Sequence, residues 1–274
     1  MGWKRVGLGI AVRRPVAELR AAYARADVVA LDLDECLFPR YSQSALGERV
    51  ASRLLRRPER PGDRRLLPRL FLGGAYRAAT VLKALLGLPT PAPRLIAWYD
   101  WTLRGVPESY FRKAARRLPS RSYPLAAETV ELLGSHAPTG IVSLGLDVVA
   151  WAYVEQWRGL SFFEANGVVF SPGPDGRAAF AGYDRERLMT CGDDKRRALE
   201  RRMADLGAGT PMVVGHDAND LPMARLARER GGLAVGFNPA RRLWDEFDAV
   251  VTGRDWEPMY ALVAILAGPR CGGE

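Results

Sequence analysis

The stretch Val28-Val29-Ala30-Leu31-Asp32-Leu33-Asp34-Glu35-Cys36-Leu37 decides the fold class of this chain. An uninterrupted apolar run leads straight into two carboxylates separated by one residue. A run without polar alternation suits a strand covered on both faces, as in a parallel sheet packed between helices. In open α/β sheets ligands bind beyond the carboxyl ends of the strands. Two acids at such a point can divide phosphoryl transfer between them, one attacking phosphorus and the other moving a proton. Taken alone, the same pair also serves as an acidic cap on the next element.

Five further apolar runs read as strands: Gly140–Val142, Val168–Phe170, Met212–Val214, Leu233–Val235 and Ala249–Val251. Helical patterns lie between several of them, at Leu188–Leu206 and Leu221–Arg230. Alternating strands and helices predict a doubly wound, Rossmann-like parallel α/β sheet. Val168–Tyr183 also carries hairpin chemistry, because its centre is Pro172-Gly173-Pro174-Asp175-Gly176.

The segment from Leu37 to Pro138 differs in kind. Its spacing predicts helices over Gln43–Arg57, Leu67–Leu86, Pro93–Leu103 and Pro107–Leu118, with breaks at Pro58, Pro61, Pro89, Pro91 and Pro119. The expected organisation is an α/β core from residues 1–36 and 139–274, with a helical cap, residues 37–138, inserted after the first strand. The insertion holds 18 Lys and Arg against 7 Asp and Glu, a balance of +11, within a chain of net charge +9. Such a segment attracts anions, or coats a solvated helical face. Arg49, Arg53 and Arg56 share one helical face and are candidates for contacting a second anionic group. Trp98, Tyr99 and Trp101 read as core of the insertion.

Two more strand ends carry polar groups. Ile141-Val142 ends in Ser143-Leu144-Gly145, where a hydroxyl and backbone N–H groups can hold phosphoryl oxygens. Met212–Val214 ends in Gly215-His216-Asp217-Ala218-Asn219-Asp220-Leu221-Pro222-Met223, rich in metal-type ligands. Between them Lys195 follows Asp193-Asp194 at a helix start. Three such strand ends and a lysine, in this order, form a specific pattern.

In these motifs the chain resembles the haloacid dehalogenase superfamily, and within it the phosphoserine phosphatase-like branch, from Val28 to about Asn238. Asp32 and Asp34 match its first motif, Ser143 its second, Lys195 its third, and Ala218–Met223 its last. The resemblance implies a phosphatase acting on a small phosphorylated metabolite through an aspartyl phosphate on Asp32. It implies Asp34 as acid/base, Lys195 as charge partner, and Ser143, Leu144, Gly145, Lys195 and Asn219 around the phosphate. It implies magnesium held by Asp32, Asp34, Asp217 and Asp220. Two positions depart from the pattern. The first acid of the last motif is replaced by His216, so that either Asp217 or His216 is the ligand there, and imidazole suits transition metals better than magnesium. Tyr41 stands where serine-specific members carry a glutamate, so phosphoserine is not implied as substrate. A weakly active or non-catalytic protein that binds a phosphorylated ligand is the alternative that His216 supports.

Composition bounds the remaining classes. The three cysteines, Cys36, Cys191 and Cys271, give no disulfide framework, and the expectation is reduced thiols in a cytoplasmic protein. Cys36 reads as a small buried group. No apolar run reaches the roughly 18 residues of a membrane helix, and the N-terminal segment lacks the long apolar region of a signal peptide. Apart from its charge, the chain has no nucleic-acid recognition motif, so no nucleic-acid partner is expected.

Overall fold

The computed structural model describes residues 2–268 apart from Gly87, Pro89 and Pro91. Cys271 and the breaks expected at Pro89 and Pro91 lie outside the described residues. The strands are β1 (Lys4–Gly7), β2 (Ile10–Val12), β3 (Val28–Leu31), β4 (Thr139–Leu146), β5 (Leu160–Asn166), β6 (Val168–Pro172), β7 (Ala178–Tyr183), β8 (Pro211–Gly215), β9 (Leu233–Phe237) and β10 (Ala249–Val251). The helices are α1 (Val16–Arg25), α2 (Ser42–Arg56), α3 (Leu67–Leu85), α4 (Ala92–Leu103), α5 (Glu108–Ala115), α6 (Ala126–Gly134), α7 (Asp147–Gln156), α8 (Gly192–Leu206), α9 (Leu221–Glu229) and α10 (Glu257–Ala267).

Eight strands form one sheet in the order β1-β2-β10-β9-β8-β3-β4-β5. The run from β10 to β5 is parallel, and β2 and β1 extend it antiparallel at one edge. All four residues of β3 are buried, because alternate side chains enter opposite cores. Val29 and Leu31 join Ile141, Met212 and Val214 on the face covered by α1 and α10, while Val28 and Ala30 join Val142, Val213, Leu199 and Leu226 under α8 and α9. Burying an aliphatic side chain of this size contributes about 1.5–3 kcal/mol, so both sides of β3 anchor it.

Strand β3 lies between β4 and β8, with Leu31 level with both Ile141 and Val214. The chain continues to opposite sides of β3, which opens a crevice at the carboxyl ends of these three strands. Helices α2 to α5 and the antiparallel pair β6–β7 pack together beside that crevice, with α2 also touching β4. Val168–Phe170 therefore belongs to this separate hairpin and not to the main sheet; its turn chemistry overrode its apolar run. Helix α6 packs on α10, β4 and β5. Strands β1, β2 and β5 gave no legible signal. β1 and β5 are the edge strands and β2 is a three-residue strand next to β1, while β5 carries Ser161, Glu164 and Asn166 among its apolar residues.

A charged cluster ties the helical segment to the hairpin. The Arg177 guanidinium donates to Asp63 Oδ1 at 2.5 Å and Oδ2 at 3.1 Å, and Tyr110 Oη and the Arg60 N–H also donate to Oδ2, at 2.8 and 3.1 Å. Asp63 is 5% exposed. The hydrogen bonds from Arg177 hold its carboxyl below its ordinary value, against burial. Asp63→Ala is expected to destabilise the fold by about 2–3 kcal/mol, because it strands a buried hydroxyl and a half-buried cation. A carboxylate depressed in the folded state contributes fully above its unfolded pKa of 3.8 and loses that contribution as pH falls through the folded value. The destabilisation read from urea unfolding should therefore be full at neutral pH and shrink as the pH falls below 3.8.

Candidate active site

The turn after β3 is unusual in its backbone. Asp32 donates its N–H to Val214 O at 2.9 Å, continuing the sheet by one residue. The Leu37 and Phe38 N–H groups then both return to Leu33 O, at 3.0 and 2.9 Å, and Glu35 adopts the left-handed region at φ 55°. This tight loop turns Asp32 and Asp34 towards the crevice. The Ser42 N–H, at the start of α2, donates to Asp34 Oδ1 at 2.8 Å. Cys36 is fully buried, its thiol pushed well up by burial and the charge of Asp32, and its carbonyl accepts from Trp256 Nε1 at 2.8 Å.

Lys195 enters from the first turn of α8. Asp194 caps that turn, accepting from the N–H groups of Thr190 and Cys191 at 2.7 and 3.2 Å. The Lys195 side chain runs inward, 1% exposed, and its ammonium donates to Asp32 Oδ1 at 2.7 Å and to Asp220 Oδ1. Burial opposes this charge, but the two carboxylates outweigh it and raise the lysine above its ordinary value.

The β8–α9 loop supplies the third set. Asp220 is fully buried beneath the loop, and its Oδ2 accepts the N–H groups of His216 and Asp217 at 2.7 and 3.2 Å. Gly215 is needed here, since a Cβ would lie 2.3 Å from that of Asp220. His216 Nδ1 lies 3.1 Å from Asp32 Oδ2 and 3.4 Å from Asp220 Oδ2, and Nε2 lies 3.5 Å from Glu35 Oε2. Burial disfavours the imidazolium, but the hydrogen bonds and charges of Asp220 and Asp32 prevail and raise its pKa to about 11. Asp220 is held well below its ordinary value, burial being outweighed by Lys195 and His216.

Asp32, Asp34, Ser143, Leu144, Lys195, His216, Asp217 and Asn219 all line one cavity of about 300 Å³. Asp220 and Gly145 do not line it. Gly145 gives its N–H to Ser143 Oγ at 3.0 Å. Leu144 O accepts from Asn166 Nδ2 at 2.8 Å and Gln43 Nε2 at 3.1 Å. Both oxygens of Asp217 accept from Asn219, from its N–H at 2.8 Å and its side-chain amide at 3.1 Å. Of the two candidates for the last motif, His216 and not Asp217 stands against Asp32. One ligand atom each from Asp32, His216 and Asp220 lies within 4.8 Å of the others. Asp220 is already engaged through both oxygens, which leaves Asp32 Oδ2 and His216 Nδ1 as side-chain donors for a cation. Their 3.1 Å separation is that of an ion pair, and it fits adjacent ligands of one ion once His216 gives up its proton, a donor set of mixed nitrogen and oxygen preference.

The cavity also holds residues that sequence patterns did not single out for it. Arg77 and Tyr99 come from α3 and α4, and Asn166 from the end of β5. Arg77 lies 4.6 Å over the Tyr41 ring. Arg49 and Arg53 line no part of the cavity, and burial together with the charges of Arg121 and Arg117 lowers Arg49. Tyr99 faces the site and packs against the core, whereas Trp98 is partly buried and stacks on Tyr76 at 4.2 Å, and Trp101 is 44% exposed.

No known family model matches the chain, nor does any curated protein sequence. Solved structures do resemble it. A haloacid dehalogenase (HAD) family hydrolase from Salmonella enterica subsp. enterica serovar Typhi superposes with TM-score 0.59 and 17% identity, over 86% of this chain and 70% of that one. A substrate-bound phosphoserine phosphatase complex gives TM-score 0.61 and 19% identity, over 87% and 99%. Cytosolic 5'-nucleotidase IIIB, bound to cytidine, gives TM-score 0.63 and 16% identity, over 95% and 94%. The fold is thus the phosphoserine phosphatase-like form of the HAD fold. No described helix is long and apolar enough to cross a membrane.

Burial, followed by the charge of Asp32, pushes the Asp34 carboxyl up to about 6 from 3.8. Folding therefore favours its protonated form, and ionised Asp34 costs stability progressively as pH rises from 3.8 through about 6. Asp34→Asn is expected to stabilise the metal-free protein by roughly 3 kcal/mol above that range and by nothing below it. Paired urea titrations across pH read this difference, and a gain independent of pH would contradict it.

Proposed function

We propose that the chain is a metal-assisted phosphatase that hydrolyses a small phosphate monoester through an aspartyl phosphate on Asp32. The observation that carries this reading is the placement of Asp32: buried at the end of the central strand, one oxygen against Lys195, the other against His216, and both beside the cavity. A carboxylate that attacks phosphorus meets another anion, and Lys195 offsets that repulsion. The new bond from Asp32 to phosphorus forms as the ester P–O bond breaks, and the leaving oxygen takes its proton from Asp34. Asp34, now ionised, takes a proton from a water whose oxygen attacks phosphorus, which releases phosphate and restores Asp32. Ser143, Leu144 and Asn219 line the wall where phosphoryl oxygens sit, and α2 to α5 act as the cap that shields the intermediate from bulk water.

Asp32, His216 and the Asp34 backbone carbonyl are the residues suited to hold the metal. When bound, the cation neutralises charge on the phosphoryl group. The HAD fold implies magnesium, which prefers oxygen ligands, and the imidazole of His216 extends the preference to manganese and cobalt. A second reading, binding of a phosphorylated ligand without turnover, draws on the same residue: His216 and Lys195 already balance the charges of Asp32 and Asp220.

Asp32→Asn is expected to abolish phosphate release from monoesters; it also removes a charge partner of buried Lys195, so the melting temperature falls while the far-UV circular dichroism remains that of the folded parent. Asp34→Asn should lower turnover of esters with poor leaving groups by about 10²–10⁴-fold, and much less for p-nitrophenyl phosphate. Turnover surviving in Asp32→Asn would end the mechanism. Absence of phosphate release with every divalent ion, together with calorimetric binding of inorganic phosphate, would establish the second reading.

His216→Asp replaces the nitrogen donor by oxygen. It is expected to shift both activation and calorimetric metal affinity from manganese towards magnesium. An unchanged ranking of the two ions would place the metal away from His216.

A further inference from the structure

The catalytic cavity does not end at the cap. A second cavity of about 580 Å³ lies between α2, α3 and α4. Gln43, Ser44, Arg77, Tyr99 and Tyr183 line both spaces, so the two adjoin across these five side chains. Its volume lies within the roughly 300–1,000 Å³ of small-molecule sites. The floor is made by Leu46, Leu70, Leu103 and Leu146, all buried. At the far end Leu55 and Phe71 form a lip and are 50% and 58% exposed. The ionisable side chains along it are few. Glu48 is paired with Arg40, and Arg56 and Arg77 stand at opposite ends.

Three glycines in helix interiors also line this groove. Gly73 is explained by packing, since a Cβ would fall 2.3 Å from Thr102 Cγ2. Gly47 and Gly74 are not, because nothing lies within 4 Å of where their Cβ atoms would sit. Glycine is a poor helix former, and here no neighbour requires it. What both glycines do is leave the groove open from opposite walls.

We infer that this groove receives the leaving group of the substrate, and that the substrate is a phosphate monoester of a long or bulky apolar alcohol. The inference rests on the proposed phosphatase reading for the position of the phosphate, and on the groove alone for the apolar part. With the phosphoryl group beside Asp32, the ester oxygen points to the junction at Ser44, Arg77 and Tyr99. A hydrocarbon chain then follows the leucine floor towards Leu55 and Phe71. A charge placed along the leucine floor, between Arg77 and Arg56 at its ends, would be stripped of water without a partner.

Ethyl, hexyl and decyl phosphate, used below their micelle concentrations, are the substrates for the test. The matching alkylphosphonates, whose C–P bond resists hydrolysis, are the ligands. Each methylene taken from water into the groove is worth about fourfold in affinity, so kcat/KM is expected to rise about a hundredfold or more from ethyl to decyl phosphate. Calorimetric Kd values for the phosphonates should tighten in parallel, with a negative heat-capacity change. The double variant Gly47→Leu/Gly74→Leu fills the groove with residues that favour helix, and should bring both decyl-to-ethyl ratios down towards one. Ratios near one in the parent protein, or a decyl preference that survives the double variant, would overturn the inference while leaving phosphatase activity in place. If no ester is hydrolysed, the phosphatase reading fails. The phosphonate affinities then still decide the groove by the same two criteria.

Discussion

The Lys195 ammonium, held between Asp32 and Asp220 inside the protein, is the interaction on which the rest of the site depends. A buried charge is tolerated only with partners of opposite sign, and removing one partner of such a group costs about 3–5 kcal/mol. The three residues come from the end of β3, the first turn of α8 and the loop after β8. Their mutual need for neutralisation therefore fixes how these elements meet at the mouth of the crevice. The sheet supplies the platform, but the sheet alone would leave two carboxylates facing each other out of water.

His216 changes the charge of this arrangement. Its imidazole approaches both Asp32 and Asp220 from the solvent side, opposite Lys195. Two carboxylates are thereby set against two protein cations. A site with an acid at position 216 would carry surplus negative charge and draw a hard divalent ion strongly. With histidine there, the ion competes against an internal cation and is offered nitrogen as well as oxygen. The same residue thus bears on metal choice and on whether turnover occurs at all.

The basic balance of the helical segment has little to do with the catalytic cavity. Arg40, Arg104, Arg112, Lys113 and Arg116 are paired with Glu48, Asp100, Glu108, Glu59 and Glu155. Exposed pairs of this kind contribute about 0–1 kcal/mol each, so they keep the helices solvated more than they hold them. Arg77 is the arginine of this segment that lines the catalytic cavity. The apolar side chains of α2, α3 and α4 line the neighbouring groove instead.

The sequence by itself determined the central strand, the order of the parallel strands' motifs and the four helices of the insertion. These features are written in local periodicity: apolar runs of strand length, helical spacing, and proline or glycine at the breaks. It also brought Asp32, Asp34, Ser143 and Lys195 forward, since each stands at the end of a strand or the start of a helix. Only the tertiary structure showed which of Asp217 and His216 stands against Asp32, because adjacent loop residues differ in direction and not in sequence position. Asp217 turns to cap Asn219, while His216 turns to Asp32. Tertiary structure alone brought Arg77, Tyr99 and Asn166 to the cavity, and set the groove between α2, α3 and α4 beside it. Those contacts depend on how helices distant in sequence cross one another. That geometry is set by side-chain packing across elements, which no local pattern along the chain records.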